Sequence, residues 1–198
     1  MRLYFVVAAL ALGAACGPEG GHSPPASSNA ATVVDSAIPR DEALRRFRVG
    51  LDTVTTLTGG ASSRDALVRE YVEALAAADT AAIIRLTMTR AEFAWLYYPE
   101  SAQGLPPYDL SPSLMWFMMD EQSRKGLTRA LAELGGQPYP YAGYVCEGAE
   151  VVEGPNTLWG PCLIRRVVAP GDTVNERLFG QILGRDGMYK ITTHANKF

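Results

Sequence analysis

The sequence predicts an α+β fold in which several helices are followed by one curved, four-stranded antiparallel sheet. Between residues 39 and 134, apolar residues recur at the spacing of a helix face, and from residue 144 onward they follow the shorter period of strands. The dipeptides Pro170-Gly171 and Asp186-Gly187 fit tight turns between the last strands. Helices first and an antiparallel meander afterwards are typical of an α+β arrangement.

The first fifteen residues have the pattern of a secretory signal. One positive charge at Arg2 precedes the apolar run 3–12, and three small residues follow that run. A short apolar run with a small-residue cleavage site is typical of a signal peptide, because a membrane span needs about 20 apolar residues. We therefore expect residues 1–15 to be removed during export.

A cysteine, Cys16, comes directly after the small residues Gly13-Ala14-Ala15. This segment resembles the lipobox of bacterial lipoproteins, and the resemblance implies that Cys16 carries a lipid that anchors the protein in the cell envelope. Gly17 follows in place of the aspartate that retains such proteins in the inner membrane, which favours the outer membrane, facing the periplasm. The alternative is an ordinary secretory signal followed by a chance cysteine.

The lipidated Cys16 and the Pro/Gly/Ser-rich segment after it, residues 16–37, are predicted to form a flexible tether. About 20 residues of this composition span on the order of 25 Å. Residues 38–198 remain for a single α+β domain. The whole chain has 18 basic and 21 acidic residues, a net charge of −3 and no basic block, so nothing indicates binding to nucleic acid.

Five helical segments are predicted before the sheet. The first spans residues 39–51, and the others begin at polar capping residues. Thr89 and Glu92 form the pattern of a capping box, and Pro112 follows Ser111 at the start of a long helix that Gly135-Gly136 ends. The predicted caps are Ser62, Asp79, Thr89 and Ser111.

The long helix contains a Met-rich run, residues 114–119, which is apolar all round. Methionine side chains adapt to irregular apolar shapes, so this run is the best candidate for a pocket wall. Ordinary core packing and an exposed patch for a partner are the alternatives. The candidate pocket residues from this run and the aromatic residues are Trp95, Tyr98, Met115, Met118, Met119 and Trp159.

Four strands are predicted at residues 144–152, 158–168, 174–183 and 188–194. Cys146 and Cys162 are equidistant from Gly154 in a probable turn, so an odd-length loop centred there would place them directly opposite each other. This geometry predicts a disulfide, which an exported protein permits. A register shifted by one residue would instead leave two free thiols on opposite faces.

The turns also predict which residues face each other across the strands. A two-residue turn at Asp186-Gly187 places Ile182 opposite Ile191, and Phe179 opposite His194 on the more polar face. A two-residue turn at Pro170-Gly171 places Arg165 opposite Glu176. Arg166 is then the candidate to enter the cavity and bind an anion.

The catalytic signals are weak. His194 is the single histidine of the predicted domain; a general base is one interpretation, and a surface or stacked histidine is the other. Asp120 and Glu121 follow the Met-rich run and fit the solvated side of the helix better than an acid with a raised pKa. No nucleophile elbow, phosphate-binding loop or zinc-protease motif is present, and two cysteines with one histidine are too few ligands for structural zinc. We expect no metal and no cofactor.

The stretch 68–79, Val-Arg-Glu-Tyr-Val-Glu-Ala-Leu-Ala-Ala-Ala-Asp, is similar to the first helix of SnoaL-like proteins. Together with the order of helices and strands, it resembles the nuclear transport factor 2-like fold, a cone with a cavity between sheet and helices. The resemblance covers residues 63–198. The sequence departs from the family at residues 89–110, where a helix and a proline-containing loop are predicted in place of the usual strand or hairpin. Enzymes of this family place Asp, His or Tyr in the cavity, and none of those roles maps onto a residue here.

The sequence therefore predicts a lipid-anchored protein of the cell envelope whose domain binds a small apolar ligand or a protein partner. A homodimer is one form that such a partner interaction takes. The alternative is a cavity enzyme of the isomerase or hydro-lyase type that uses an acid and a tyrosine.

Overall fold

The computed structural model describes residues 38–195, in which helices precede strands as the sequence predicts. The helices are α1 (Arg40–Phe47), α2 (Arg64–Ala76), α3 (Thr80–Arg85), α4 (Arg90–Glu92) and α5 (Pro112–Leu134). A π-helical turn, Phe93–Tyr97, continues α4, and a 3-10 turn, Ala102–Gly104, lies in the loop before α5. The predicted signal 1–15, Cys16 and the tether lie outside the described residues.

The helix caps confirm most of the predicted starts. Asp79 and Ser111 each accept a hydrogen bond from a backbone N–H in the first turn, and Thr89 with Glu92 forms a complete capping box. Helix α2 begins one residue later than expected, because the hydroxyl that accepts from Ala66 belongs to Ser63.

Within residues 38–195, seven strands form two sheets, which corrects the prediction of one curved four-stranded sheet. The three-stranded sheet has the order β1-β4-β5, and the four-stranded sheet has the order β2-β3-β6-β7, with antiparallel pairing throughout. The strands are β1 (Tyr141–Cys146), β2 (Val151–Glu153), β3 (Asn156–Trp159), β4 (Cys162–Ala169), β5 (Asp172–Glu176), β6 (Ile182–Arg185) and β7 (Met188–Ile191).

The predicted meander is still present, but three of its four strands are each broken in two. The breaks fall at residues 147–150, at Gly160-Pro161 and at 177–181. Proline has no N–H to give to a ladder, and Gly160 has φ +134°, which residues with side chains rarely adopt. Gly160-Pro161 thus ends the pairing of the second predicted strand. At each of the three breaks, the chain leaves one sheet and enters the other.

Cys146 and Cys162 pair directly across β1 and β4 and form the disulfide that the sequence predicts. The reason differs from the expected one. The turn is a two-residue Gly154-Pro155 turn between Glu153 and Asn156, not an odd-length loop. The pairing of Glu153 with Asn156 and the pairing of Cys146 with Cys162 differ in register by one residue. This shift occurs between the two sheets, next to Pro161.

The four-stranded sheet lies between two hydrophobic clusters. On β6, Ile182 packs into a cluster with α2 and α3, while its neighbour Leu183 packs into a second cluster with α1 and the turn Phe93–Tyr97. Successive strand residues point to opposite faces, so both faces of β6 are buried. The predicted register puts Leu183 and Lys190 on the same, more polar face as His194, and all three are buried.

The final hairpin follows the predicted register. Ile182 pairs with Ile191, and an isolated bridge joins Phe179 to His194. Asp186 and Gly187 both have positive φ, as the turn requires. The hairpin therefore carries His194 beneath α5, where the candidate site lies.

Candidate functional site

A cleft of about 390 Å³ lies beside α5, and we call it the α5 cleft. One wall is the side of α5 from Trp116 to Leu127, the other is the segment from Ile84 to Arg90, and the C-terminal segment reaches it at Thr192 and His194. This volume falls within the range of small-molecule sites. The lining residues are Ile84, Thr87, Met88, Thr89, Arg90, Trp116, Asp120, Ser123, Arg124, Leu127, Thr192 and His194.

A close backbone contact fixes α5 over the end of the chain. Gly126 is buried, and a Cβ atom at this position would clash with the carbonyl oxygen of Ala195. The Ser123 hydroxyl, one turn earlier on α5, accepts a hydrogen bond of 3.1 Å from the backbone N–H of His194. The absence of a side chain at Gly126 thus permits this close approach.

His194 is buried, with both ring nitrogens hydrogen bonded. The distances are 3.1 Å from Nδ1 to the Tyr71 hydroxyl and 3.2 Å from Nε2 to the Thr87 hydroxyl. Thr87 donates its own proton to the carbonyl of Ile83 at 2.8 Å. The network therefore assigns the proton to Nε2, which donates to Thr87, while the Tyr71 hydroxyl donates to Nδ1.

Burial also sets the charge of this histidine. Removal from water lowers the pKa of His194 from 6.5 to about 4, because desolvation disfavours the charged ring. The same cause raises the pKa of the buried Tyr71. The imidazole is thus neutral at pH 7 and stacks on Tyr71, with ring centroids 5.8 Å apart. Of the two interpretations of His194, the buried, stacked histidine is the arrangement present.

Charges at the cleft lie at its rim. Arg124 forms ion pairs with Asp120 at 3.0 Å and with Glu121, which leaves both carboxylates on the solvated side of α5. Arg90 is exposed, lies over the Phe47 ring at 4.7 Å, and has no carboxylate within ion-pair distance among residues 38–195. Arg90 is therefore a cation that a ligand can reach from the cleft.

The three predicted methionines do come together, in a depression separate from the α5 cleft. Met115, Met118 and Met119 line a shallow depression of about 170 Å³, closed by Gln103, Leu110, Gln122 and Thr193. Met115 is buried, whereas Met118 is 47% exposed. This depression is smaller than the α5 cleft.

Two of the other predicted pocket residues anchor α1. The Arg48 guanidinium stacks on Trp95 at 3.9 Å and donates to the Ala94 carbonyl. Arg40 in the same way lies over the Tyr98 ring at 5.1 Å. Trp95 and Tyr98 therefore pack against α1, and neither contributes to the depression of the methionines or to the α5 cleft. Tyr98 instead lines a separate cavity of about 310 Å³ beside Arg40.

The last two predicted pocket residues lie on the sheets. Trp159 donates to Glu150 at 3.0 Å and lies under the Arg64 guanidinium at 4.6 Å. Arg166 forms an ion pair with Glu176 at 2.5 Å, and Tyr139 donates to the same carboxylate at 2.7 Å. Arg166 thus has a carboxylate partner, so it is not a vacant site for an anion.

The register around Arg166 corrects the sequence prediction. The Pro170-Gly171 turn joins Ala169 to Asp172 as expected, but an irregularity between Val167 and Ala169 shifts the ladder by one residue. Arg165 consequently lies opposite Asn175 rather than Glu176. Burial alone would raise the pKa of Glu176, yet hydrogen bonds from Arg166 and Tyr139 hold it below its ordinary value.

One charged pair was missed by the sequence reasoning. Glu92 and Lys190 are each 1% exposed and form an ion pair at 2.8 Å. Glu92 also accepts from the backbone N–H groups of Thr58 and Thr89, and Lys190 donates to the Thr58 carbonyl. The capping-box pattern indicated that Glu92 has a structural role. Nothing in the sequence indicated that Lys190, in a four-residue strand, is buried.

Comparisons with protein-family models, curated proteins and solved structures find no match for the chain. Across residues 38–195, no helix has the length and apolar character needed to cross a bilayer. The same residues contain no cluster of three or more His, Cys, Asp or Glu side chains arranged to hold a metal ion. The geometry of the α5 cleft and its surroundings is therefore the basis on which a function can be inferred.

Proposed function

We propose that the protein is anchored in the cell envelope through a lipid on Cys16 and binds a small, largely apolar molecule in the α5 cleft. The observation that carries this proposal is the cleft itself. Its volume is about 390 Å³, and Ile84, Met88, Trp116 and Leu127 supply apolar wall. Small-molecule sites combine such walls with a few polar groups that fix orientation.

The polar groups of the cleft support recognition of a ligand with one polar end. Arg90 at the rim offers guanidinium donors to a carboxylate, phosphate or carbonyl oxygen. The neutral His194 adds no charge to the inner part of the cleft. An apolar body between α5 and Met88, with a polar head near Arg90, satisfies both features.

The same contacts support binding over catalysis. A general base needs a free nitrogen, and both nitrogens of His194 are engaged by hydroxyl groups. Tyr71 is buried behind His194 and donates to it, while Asp120 is paired with Arg124. The acid and tyrosine of the alternative enzyme would have to break these pairs before acting.

The nuclear transport factor 2-like resemblance is part of the proposal. It is supported by helices followed by an antiparallel meander and by a cleft beside the last long helix, which the C-terminal segment reaches at Thr192 and His194. Two sheets in place of one, with both faces of β6 covered, are departures from the expected cone.

Native mass spectrometry tests the ligand-binding part. The mature chain, with Cys16→Ser and exported behind an ordinary secretory signal, is purified gently, and we expect a bound small molecule. Leu127→Trp adds bulk inside the cleft and should abolish retention of that molecule. Thr128→Trp, on the exposed side of the same helix, should retain it. An empty wild-type protein, or equal retention by both variants, would refute the proposed site.

Palmitate labelling tests the anchor independently. The wild-type protein should incorporate label and sediment with membranes, and Cys16→Ser should remove both properties. Two or three acyl chains give stable anchoring, so the release should be nearly complete. Labelling that survives the substitution would contradict lipidation at Cys16.

A further inference from the structure

A second feature of α5 is an apolar surface that no element of residues 38–195 covers. Five side chains from the loop before α5 and from its first two turns form this surface, which we call the α5 patch. Tyr108 is 66% exposed and Phe117 is 61% exposed, and the other three are 45–47% exposed. The α5 patch consists of Leu105, Tyr108, Leu114, Phe117 and Met118.

Three of the five side chains of the α5 patch lie on one side of α5. Leu114, Phe117 and Met118 stand three and four residues apart, so they share one side of the helix. Met115 is buried and Trp116 and Met119 are half-buried beneath them. An exposed, contiguous group of large apolar side chains is typical of an interaction surface.

The charge around the patch indicates what kind of surface it meets. Residues 101–119 contain one charged side chain, Asp109, and no lysine or arginine. Arg40, whose guanidinium approaches Gly104 in the same loop, is half-buried and donates to the carbonyls of Tyr98 and Pro99. We therefore expect attraction to an anionic partner or to anionic lipid to contribute little. The aromatic and aliphatic composition instead matches side chains that enter the boundary between headgroups and acyl chains, where tyrosine and phenylalanine bind.

The position at which the described chain begins lies beside the patch. Ile38 and Pro39 line a cavity of about 310 Å³ together with Arg40 and Tyr98. Gly104, Asp109 and Ser111, from the same loop as Leu105 and Tyr108, also line it. Ile38 is itself 51% exposed. About 20 residues of Pro/Gly/Ser-rich composition separate Ile38 from Cys16, a span on the order of 25 Å. A lipid on Cys16 would thus hold the bilayer within reach of this face.

We infer that the α5 patch docks on the lipid bilayer, with Phe117 and Tyr108 inserted at the interface. This inference depends on the proposed anchoring, which supplies the high local concentration that a patch of five side chains needs. Docking would be driven by apolar burial, so it should be insensitive to salt and to the fraction of anionic lipid.

Depth-dependent fluorescence quenching tests the inference without the acyl chains. The mature chain with Cys16→Ser and an N-terminal hexahistidine is attached to vesicles of phosphatidylcholine and nickel-chelating lipid. Phe117→Trp places a reporter in the patch, and brominated phosphatidylcholine quenches tryptophan at the interface. We expect strong quenching at position 117 that persists in high salt.

Val168→Trp is the matched control. Val168 is 44% exposed, so a tryptophan at this position is accessible. It lies near the C-terminal end of α5 rather than its first turns, because the N–H of the neighbouring Val167 donates to the carbonyl of Pro140, six residues beyond the end of α5. The reporter at position 168 should be quenched no more than the wild-type protein. Adding Leu114→Ser to Phe117→Trp should lower the equilibrium constant for docking roughly tenfold, because the leucine loses its apolar burial.

Several outcomes would overturn the inference. Equal quenching at positions 117 and 168, or no quenching at 117, contradicts bilayer docking. A dimer in native mass spectrometry that Leu114→Ser dissociates would assign the patch to a second copy of the chain instead. Because nickel lipid replaces the acyl chains, quenching at 117 in a protein that takes up no palmitate would refute the anchor while leaving the docking surface intact.

Discussion

His194 makes the stability of the protein depend on pH in a predictable way. Its pKa is about 4 in the folded protein and 6.5 in the unfolded chain, because burial disfavours the charged ring. Between these two values the unfolded chain binds more protons than the folded one, so the free energy of unfolding rises with pH. The contribution is fully present above pH 6.5 and is lost progressively as the pH falls towards 4.

The expected magnitude follows from the size of the pKa difference. Each pKa unit corresponds to about 1.4 kcal/mol, so the depression from 6.5 to about 4 gives roughly 3 kcal/mol. Burial of His194 keeps solvent screening small. Urea unfolding at a series of pH values measures the slope, and imidazole NMR shifts measure the pKa directly.

The control is His194→Gln, which removes the titrating ring and retains a hydrogen-bonding side chain. Other carboxylates also titrate below pH 5, so the relevant quantity is the difference between wild type and variant. We expect the wild-type protein to lose about 3 kcal/mol more than the variant between pH 6.5 and pH 4. Equal slopes, or a His194 imidazole resonance that titrates near 6.5, would refute the buried network. The His194→Gln variant identifies that resonance, because His22 is the other histidine of the sequence.

Three further predictions concern the stability of the domain. Lys190→Met leaves the buried Glu92 carboxylate without its cation and should cost about 3–5 kcal/mol in urea unfolding; adding Glu92→Gln should recover part of that loss, and additive effects would contradict the pair. Gly126→Ala should destabilise by about 1–3 kcal/mol despite better helix propensity, because the new Cβ meets the Ala195 carbonyl; a more stable variant would contradict that contact. Reducing the disulfide, whose cysteines are 16 residues apart, should cost about 3 kcal/mol, and an unchanged unfolding midpoint would show that the bridge does not constrain the chain.

Local signals in the sequence predict the elements well. The caps at Asp79, Thr89 and Ser111 depend on residues within one turn, and the structure places each helix start there. The Asp186-Gly187 turn likewise sets the pairing of Ile182 with Ile191. These features depend on neighbours that the sequence itself shows.

Features that depend on distant segments were not predictable from the same patterns. The burial of Lys190 requires α4 to bring Glu92 over β7, and the burial of His194 requires α5 to cross above the last hairpin. Alternation along a strand indicates two faces, but it does not say that a second layer covers the polar one. The sequence therefore places His194 on the more polar face of the last strands without showing that α5 covers it.

The apolar run on α5 accounts for both proposals. A helix that is apolar on all sides needs cover on all sides, and the protein covers only part of α5. Met115 is buried and Trp116 is half-buried, with Trp116 lining the α5 cleft, while Leu114 and Phe117 stay exposed. A small molecule in the cleft and a bilayer on the patch would each cover apolar surface that the described residues leave open.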